Sequence, residues 1–284
     1  MITRLLNHPN RFLIHFDREA ASYVVSDPTP QRYPGLLPSI QKVTDYYKCT
    51  RRRGAMRIED VDERRPICLR EGTTGSTQAV RPDGLRMSGF THGTRVHRQI
   101  ELFVKVYEEH QHSPLPDGTV KTFIRRAGGP NHVDSCVFSL MKLCAQKRWR
   151  PLASEYAVWD KEMHVATAAD LILADEVTRE LILIEVKTGY QGAMKGDDAK
   201  FSLMLPPQVD LPPIALTTCA QHMMQLTVTR GMLERWGIHI SQSYLIYLRH
   251  SEAGVLTIVP IHENMEKCLP TLEWLITVRK DFRR

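Results

Sequence analysis

Asp170, Glu185 and Lys187 are the residues whose types and spacing could do chemistry in this chain. Glu185 and Lys187 interrupt the apolar run "LILIEVKTGY" (181–190) two residues apart, so in a strand both side chains leave the same face. Asp170 precedes Glu185 with 14 residues between them, a D-x14-E-x-K spacing that two adjacent hairpin strands would close into a carboxylate pair. Like charges that close need a cation or a proton between them. Hard oxygen ligands suit Mg²⁺ or Mn²⁺. The lysine would orient or deprotonate a water while the metal stabilises charge on a phosphate oxygen, the parts needed for phosphodiester hydrolysis. The same three residues also fit a buried aspartate beside a surface ion pair, an arrangement worth little.

Further polar residues flank this set. Upstream, His97 and Glu101 lie one helical turn apart, and an imidazole or a second carboxylate from a helix packed on the sheet would complete a metal site. Downstream, Gln221 and Gln225 recur at i and i+4, offering amides to a phosphate or to the lysine. Each alone also reads as the wet face of an amphipathic helix.

The elements that must position these groups follow from period and punctuation. Val96, Ile100, Phe103 and Tyr107 have helical spacing in "THGTRVHRQIELFVKVYEEH". A loop is expected over 113–130, then a second helix near 132–148 and three strands near 152–160, 164–174 and 179–187. Beyond a Pro-rich loop at 206–213, Thr217 or Thr218 caps a helix reaching about 236, followed by the strands "QSYLIYLRH" and "VLTIVPI" and a closing helix. The expected fold is therefore α/β, a mixed sheet flanked by helices. Residues 24–90 are rich in Pro, Gly and Arg and read as an irregular arm with one or two helices.

Composition bounds the rest. The chain has 284 residues and 42% hydrophobic content, enough for a substantial core, and no apolar run approaches the ~18–20 residues that would span a bilayer. Six cysteines (Cys49, Cys68, Cys136, Cys144, Cys219 and Cys268) contain no CxxC pair. Reduced thiols in an intracellular compartment are expected, without a zinc or iron–sulfur site; nuclear, cytoplasmic and mitochondrial locations remain open. The opening "MITRLLNHPNRFLIHF" has the arginines of a transit peptide but few serines, and is treated as an ordinary N-terminal segment. Charge is uneven: residues 1–88 carry net +5 and residues 89–284 net +1. The boundary at 88 divides a basic extension from the core, and Arg51, Arg52 and Arg53 in "KCTRRRGAMR" suit a polyanion such as DNA, or a solvated loop.

With these motifs quoted, "GTRVHRQIE" (93–101), "AAD" (168–170), "LIEVKTG" (183–189) and "QHMMQL" (221–226), the chain resembles the RecB-like branch of the PD-(D/E)XK nucleases. That branch includes lambda-type exonucleases, mitochondrial genome maintenance exonucleases and CRISPR adaptation nucleases. The resemblance covers residues 91–250 and implies a restriction-endonuclease-like core with deoxyribonuclease activity. It implies that His97, Asp170, Glu185 and the main-chain carbonyl of Val186 hold Mg²⁺ or Mn²⁺, and that Lys187 assists the water. The family's helix motif reads Q-x-x-x-Y, so Gln221 carries over; Gln225 stands where the tyrosine would, and Ala169 where a proline is frequent. The cysteines that bind iron–sulfur clusters in some relatives are absent.

The expected activity is exonucleolytic, on single strands or duplex ends. A structure-selective or nicking endonuclease, and a catalytically silent nucleic-acid-binding or assembly module, are the alternatives. The N-terminal extension would form a channel wall for DNA, with Tyr46 and Tyr47 beside the arginines, or a docking arm for a protein partner.

Overall fold

The computed structural model describes residues 2–17, 20, 22–36, 40, 79–80, 86–87, 89–110, 117–188, 202–203, 214–215, 218–248, 256–260 and 263–280. Three short strands, β1 (Ile14–Asp17), β2 (Ser22–Ser26) and β3 (Pro30–Tyr33), form an antiparallel meander. Five more, β4 (Trp149–Asp160), β5 (Val165–Asp175), β6 (Leu181–Thr188), β7 (Gln242–Leu248) and β8 (Leu256–Pro260), make one mixed sheet in the order β8-β7-β6-β5-β4. Only β6 and β7 run parallel. That parallel step requires a crossover, which α4 (Thr218–Arg235) supplies.

Helices cover both faces of this sheet, which is why β5 and β6 are apolar on both sides rather than alternating. On one face lie α1 (Gly89–His110), α2 (Asp117–Arg126) and α3 (Ser135–Lys147), packed through Val96, Ile100, Phe103, Phe123, Val137 and Leu140. On the other lie α4, α5 (Leu269–Lys280) and the N-terminal meander. The α/β class with a mixed, helix-flanked sheet is thus as the sequence led us to expect. No described helix is long and apolar enough to cross a membrane, and the four described cysteines, Cys136, Cys144, Cys219 and Cys268, are free.

Two segments differ from expectation. Within the expected loop at 113–130, α2 forms because Phe123 packs edge-on against Phe103 and Phe138, and Val120 and Ile124 join the same cluster. Gly118 and the neighbouring prolines hid this helix in the sequence. Residues 22–33 are stranded rather than irregular, and the meander docks on the core: Ile14, Val25, Tyr33, Leu36 and Ile40 belong to the same cluster as β4 and α4. Hydrogen bonds on either side of the meander hold it there. The Tyr156 hydroxyl donates to the Leu5 carbonyl at 2.9 Å, and Ala166 N–H to the Pro34 carbonyl at 3.0 Å. Tyr46, Tyr47 and Arg51 to Arg53, with the channel or docking role expected of them, lie outside the described residues.

Candidate metal centre

The centre is built where two strands part. β5 and β6 pair from Ala174↔Leu181 to Leu171↔Ile184 and no further; beyond that point β5 pairs only with β4 and β6 only with β7. One step on in register stand Asp170 and Glu185. In the opening, the Val186 N–H donates to Asp170 Oδ2 at 2.7 Å, so a side chain takes the acceptor role that the lost ladder would have filled. Because a strand residue presents its N–H and C=O to the same edge, the Val186 carbonyl also faces this gap.

Glu185 and Lys187 leave the same face of β6, as their spacing requires. Glu185 is 1% exposed, and Lys187 Nζ donates to its Oε1 and, at 3.2 Å, to Gln225 Oε1 on α4. Of the two expected amides, then, Gln225 reaches the lysine rather than the solvent, while Gln221 sits half-buried in the first turns of the same helix. His222, between them, lies with Nδ1 3.1 Å from the Tyr247 hydroxyl; burial and the charge of Lys187 lower its pKa to about 3, so this imidazole stays neutral.

His97 comes to the gap from α1. Gly93 lies one turn before it, and a Cβ there would stand 2.9 Å from Thr188 Oγ1, so the helix approaches the end of β6 more closely than a larger residue permits. The helix is also held in rotation. Arg95 pairs with Asp134 (Nε to Oδ2 3.1 Å), and Gln99 Nε2 donates to the His132 carbonyl at 2.9 Å while its Oε1 accepts the Asp134 N–H at 3.0 Å. Positions two apart on a helix differ by about 200°, so clamping positions 95 and 99 turns His97 to the opposite side. Glu101 does not join the site; it pairs with Lys105 at 2.7 Å on the exposed face.

A residue not foreseen from the sequence completes the group. Glu155 on β4 stands across from Asp170, between the register pairs Ser154↔Leu171 and Tyr156↔Ala169. Its φ of 47° is left-handed, a conformation that costs a non-glycine residue ~1–3 kcal/mol. His97 Nδ1 lies 2.8 Å from Glu155 Oε1 and 3.7 Å from Asp170 Oδ1. Donor atoms of His97, Glu155 and Asp170 all lie within 4.8 Å of one another, and the group could hold a metal ion. Of the ligands expected from the sequence, His97 and Asp170 are in this tight group, with Glu185 beside it in the embrace of Lys187. The only trace of Glu155 in the sequence is an acid in the mostly apolar and aromatic "ASEYAVW" (153–159).

The electrostatics are those of crowded acids. Burial raises the pKa of Asp170 and of Glu185, for Glu185 with the charge of Asp170 adding to it; Lys187 and His97 oppose the rise in both. Burial alone would lower His97, but its hydrogen bond to Glu155 and the charge of Asp170 carry it up to about 9. Protons are thus held among acids that a dication would otherwise neutralise, and one imidazole with several carboxylates is a donor set that fits a hard divalent ion. No protein-family model matches the chain, and no curated protein matches it.

Proposed function

We propose that the chain is a divalent-metal-dependent deoxyribonuclease with a PD-(D/E)XK core of the RecB-like branch, acting as an exonuclease on single strands or DNA ends. The observation that carries this reading is the position of Asp170 in the gap between β5 and β6, with His97 and Glu155 on one side and the Glu185–Lys187 pair on the other. The order of the motifs along the chain, and a β5–β6 hairpin followed by a helical crossover to β7, support it further.

His97, Glu155 and Asp170 would hold Mg²⁺ or Mn²⁺, with Glu185 and the Val186 carbonyl at the same gap. Bound there, the ion would lower the pKa of a water and stabilise charge on a phosphate oxygen. Lys187, kept in place by Glu185 and Gln225, would orient the attacking water, and Gln225 fixes the direction of its ammonium. Neutral His222 adds no second cation beside the lysine.

A time course on 5′- and 3′-end-labelled linear DNA and on covalently closed DNA, with Mg²⁺, Mn²⁺ or EDTA, tests the proposal. Metal-dependent loss of terminal nucleotides from linear DNA, with closed circles intact, is expected. Nicking of the circles would assign an endonuclease, and binding without turnover in either metal would rule out the enzyme.

A further inference from the structure

The N-terminal meander carries a row of aromatic side chains toward the metal centre. Register pairs Phe16↔Tyr23 and Tyr23↔Tyr33 align three rings across β1, β2 and β3, on the face that also bears Ile14 and Val25. That face is the one turned to the core: Ile14, Val25 and Tyr33 are buried in it, and Tyr33 packs against Trp159 and His164. Phe16 shares the face yet is 50% exposed. It therefore overhangs the edge of the core instead of lying under it.

What it overhangs is set by Tyr23. The two rings lie 5.0 Å apart, tilted at 59°. Burial first, and then the charges of Glu155, Asp170 and Glu185, raise the Tyr23 phenol above its ordinary pKa, while a hydrogen bond with the Ala168 main chain, two residues before Asp170, works the other way. The hydrogen bond to Ala168 anchors the Tyr23 phenol two residues from Asp170. Phe16 is thus one ring away from a side chain bonded to the strand that carries Asp170.

We propose that Phe16 is a stacking platform for the nucleobase adjoining the scissile phosphate of a single-stranded DNA end, with Tyr23 as the positioning residue that fixes its ring. A π-face beside a backbone-cutting centre suits any base, because stacking is tolerant of sequence. This inference rests on the nuclease reading.

The full-length protein is tested in two ways. In Ca²⁺, binding of single-stranded oligonucleotides carrying 2-aminopurine at either terminus is followed by anisotropy and by quenching of the probe. In Mn²⁺, kcat and KM are measured on a normal oligonucleotide and on one with an abasic terminal nucleotide. Phe16→Ala should abolish quenching and raise KM about tenfold on the normal substrate, with no effect on the abasic one, while Phe16→Trp restores both. Phe16 is exposed enough that these variants fold. Cleavage by the wild type with equal KM for Phe16→Ala on the normal substrate, or equal impairment on both substrates, overturns the stacking role and leaves the nuclease reading standing. Phe16-dependent quenching without any cleavage keeps the stacking role and removes the nuclease reading. Absence of both binding and cleavage removes both.

Discussion

The Asp170 carboxylate accepts the main-chain N–H of Val186 at 2.7 Å across two strands that have ceased to pair, so one side chain both closes the sheet and faces His97. Structure and chemistry can be separated at this position. Asp170→Asn keeps an oxygen for the Val186 N–H and removes a charge from a crowded site. It should be inactive in DNA cleavage, yet melt no lower than the wild type in metal-free buffer. Asp170→Ala should be equally inactive and less stable by ~1–3 kcal/mol, because a buried N–H loses its acceptor. Equal melting of the two variants by circular dichroism would sink this account of the hydrogen bond.

Lys187 and Gln225 supply a graded pair. Lys187→Met should reduce kcat by about 100-fold or more, the scale on which a positioned proton-transfer group acts. Gln225→Leu should cost only about tenfold, the value of one hydrogen bond holding the ammonium, with KM unchanged. Single-turnover rates check the order; a Gln225→Leu defect as large as that of Lys187→Met would mean that Gln225 itself touches substrate.

Glu155 is strained as well as polar. Glu155→Gly relieves the positive φ but removes both the partner of His97 and a donor from the group, so metal-free stability should change little while metal affinity falls. Isothermal titration with Mn²⁺ and chemical denaturation measure the two quantities on one sample. A variant that binds metal as tightly as the wild type would remove Glu155 from the ligand set.

The metal-free protein should lose stability as pH rises. His97 is raised from 6.5 to about 9, so its contribution is fully present below 6.5 and disappears as pH passes 9. Asp170 and Glu185 are also raised, so the folded chain holds protons that the unfolded chain has released, and their ionisation above the usual carboxylate range destabilises further. Metal binding displaces these protons. Thermal melts from pH 6 to 9 should fall without metal and show a growing Mn²⁺-induced upshift; a metal effect that shrinks with pH would contradict the site.

Much of this site was legible in the sequence because it obeys local periods. The two-residue spacing of Glu185 and Lys187 gives their shared face, and the spacing of Val96, Ile100, Phe103 and Tyr107 gives the buried stripe of the helix that carries His97. The hairpin length brings Asp170 opposite Glu185. Glu155 was hidden because its position depends on a register shift between Pro151 and Ala153 and on an unusual φ, neither of which has a sequence period. Gln225 was visible as a polar stripe, but its partner depended on how α4 rests on β6. The meander was missed because strands of four or five residues leave too short a pattern, and their docking on β4 and α4 is entirely long-range.

The bare backbone at Gly93 sets how near His97 can come to the strands. Thr188 Oγ1 stands 2.9 Å from where a methyl would project, so the tip of β6 and the first turns of α1 meet without a side chain between them. A bulkier residue at position 93 would push the first turns of α1 away from β6 and draw the imidazole of His97 back from Glu155 and Asp170.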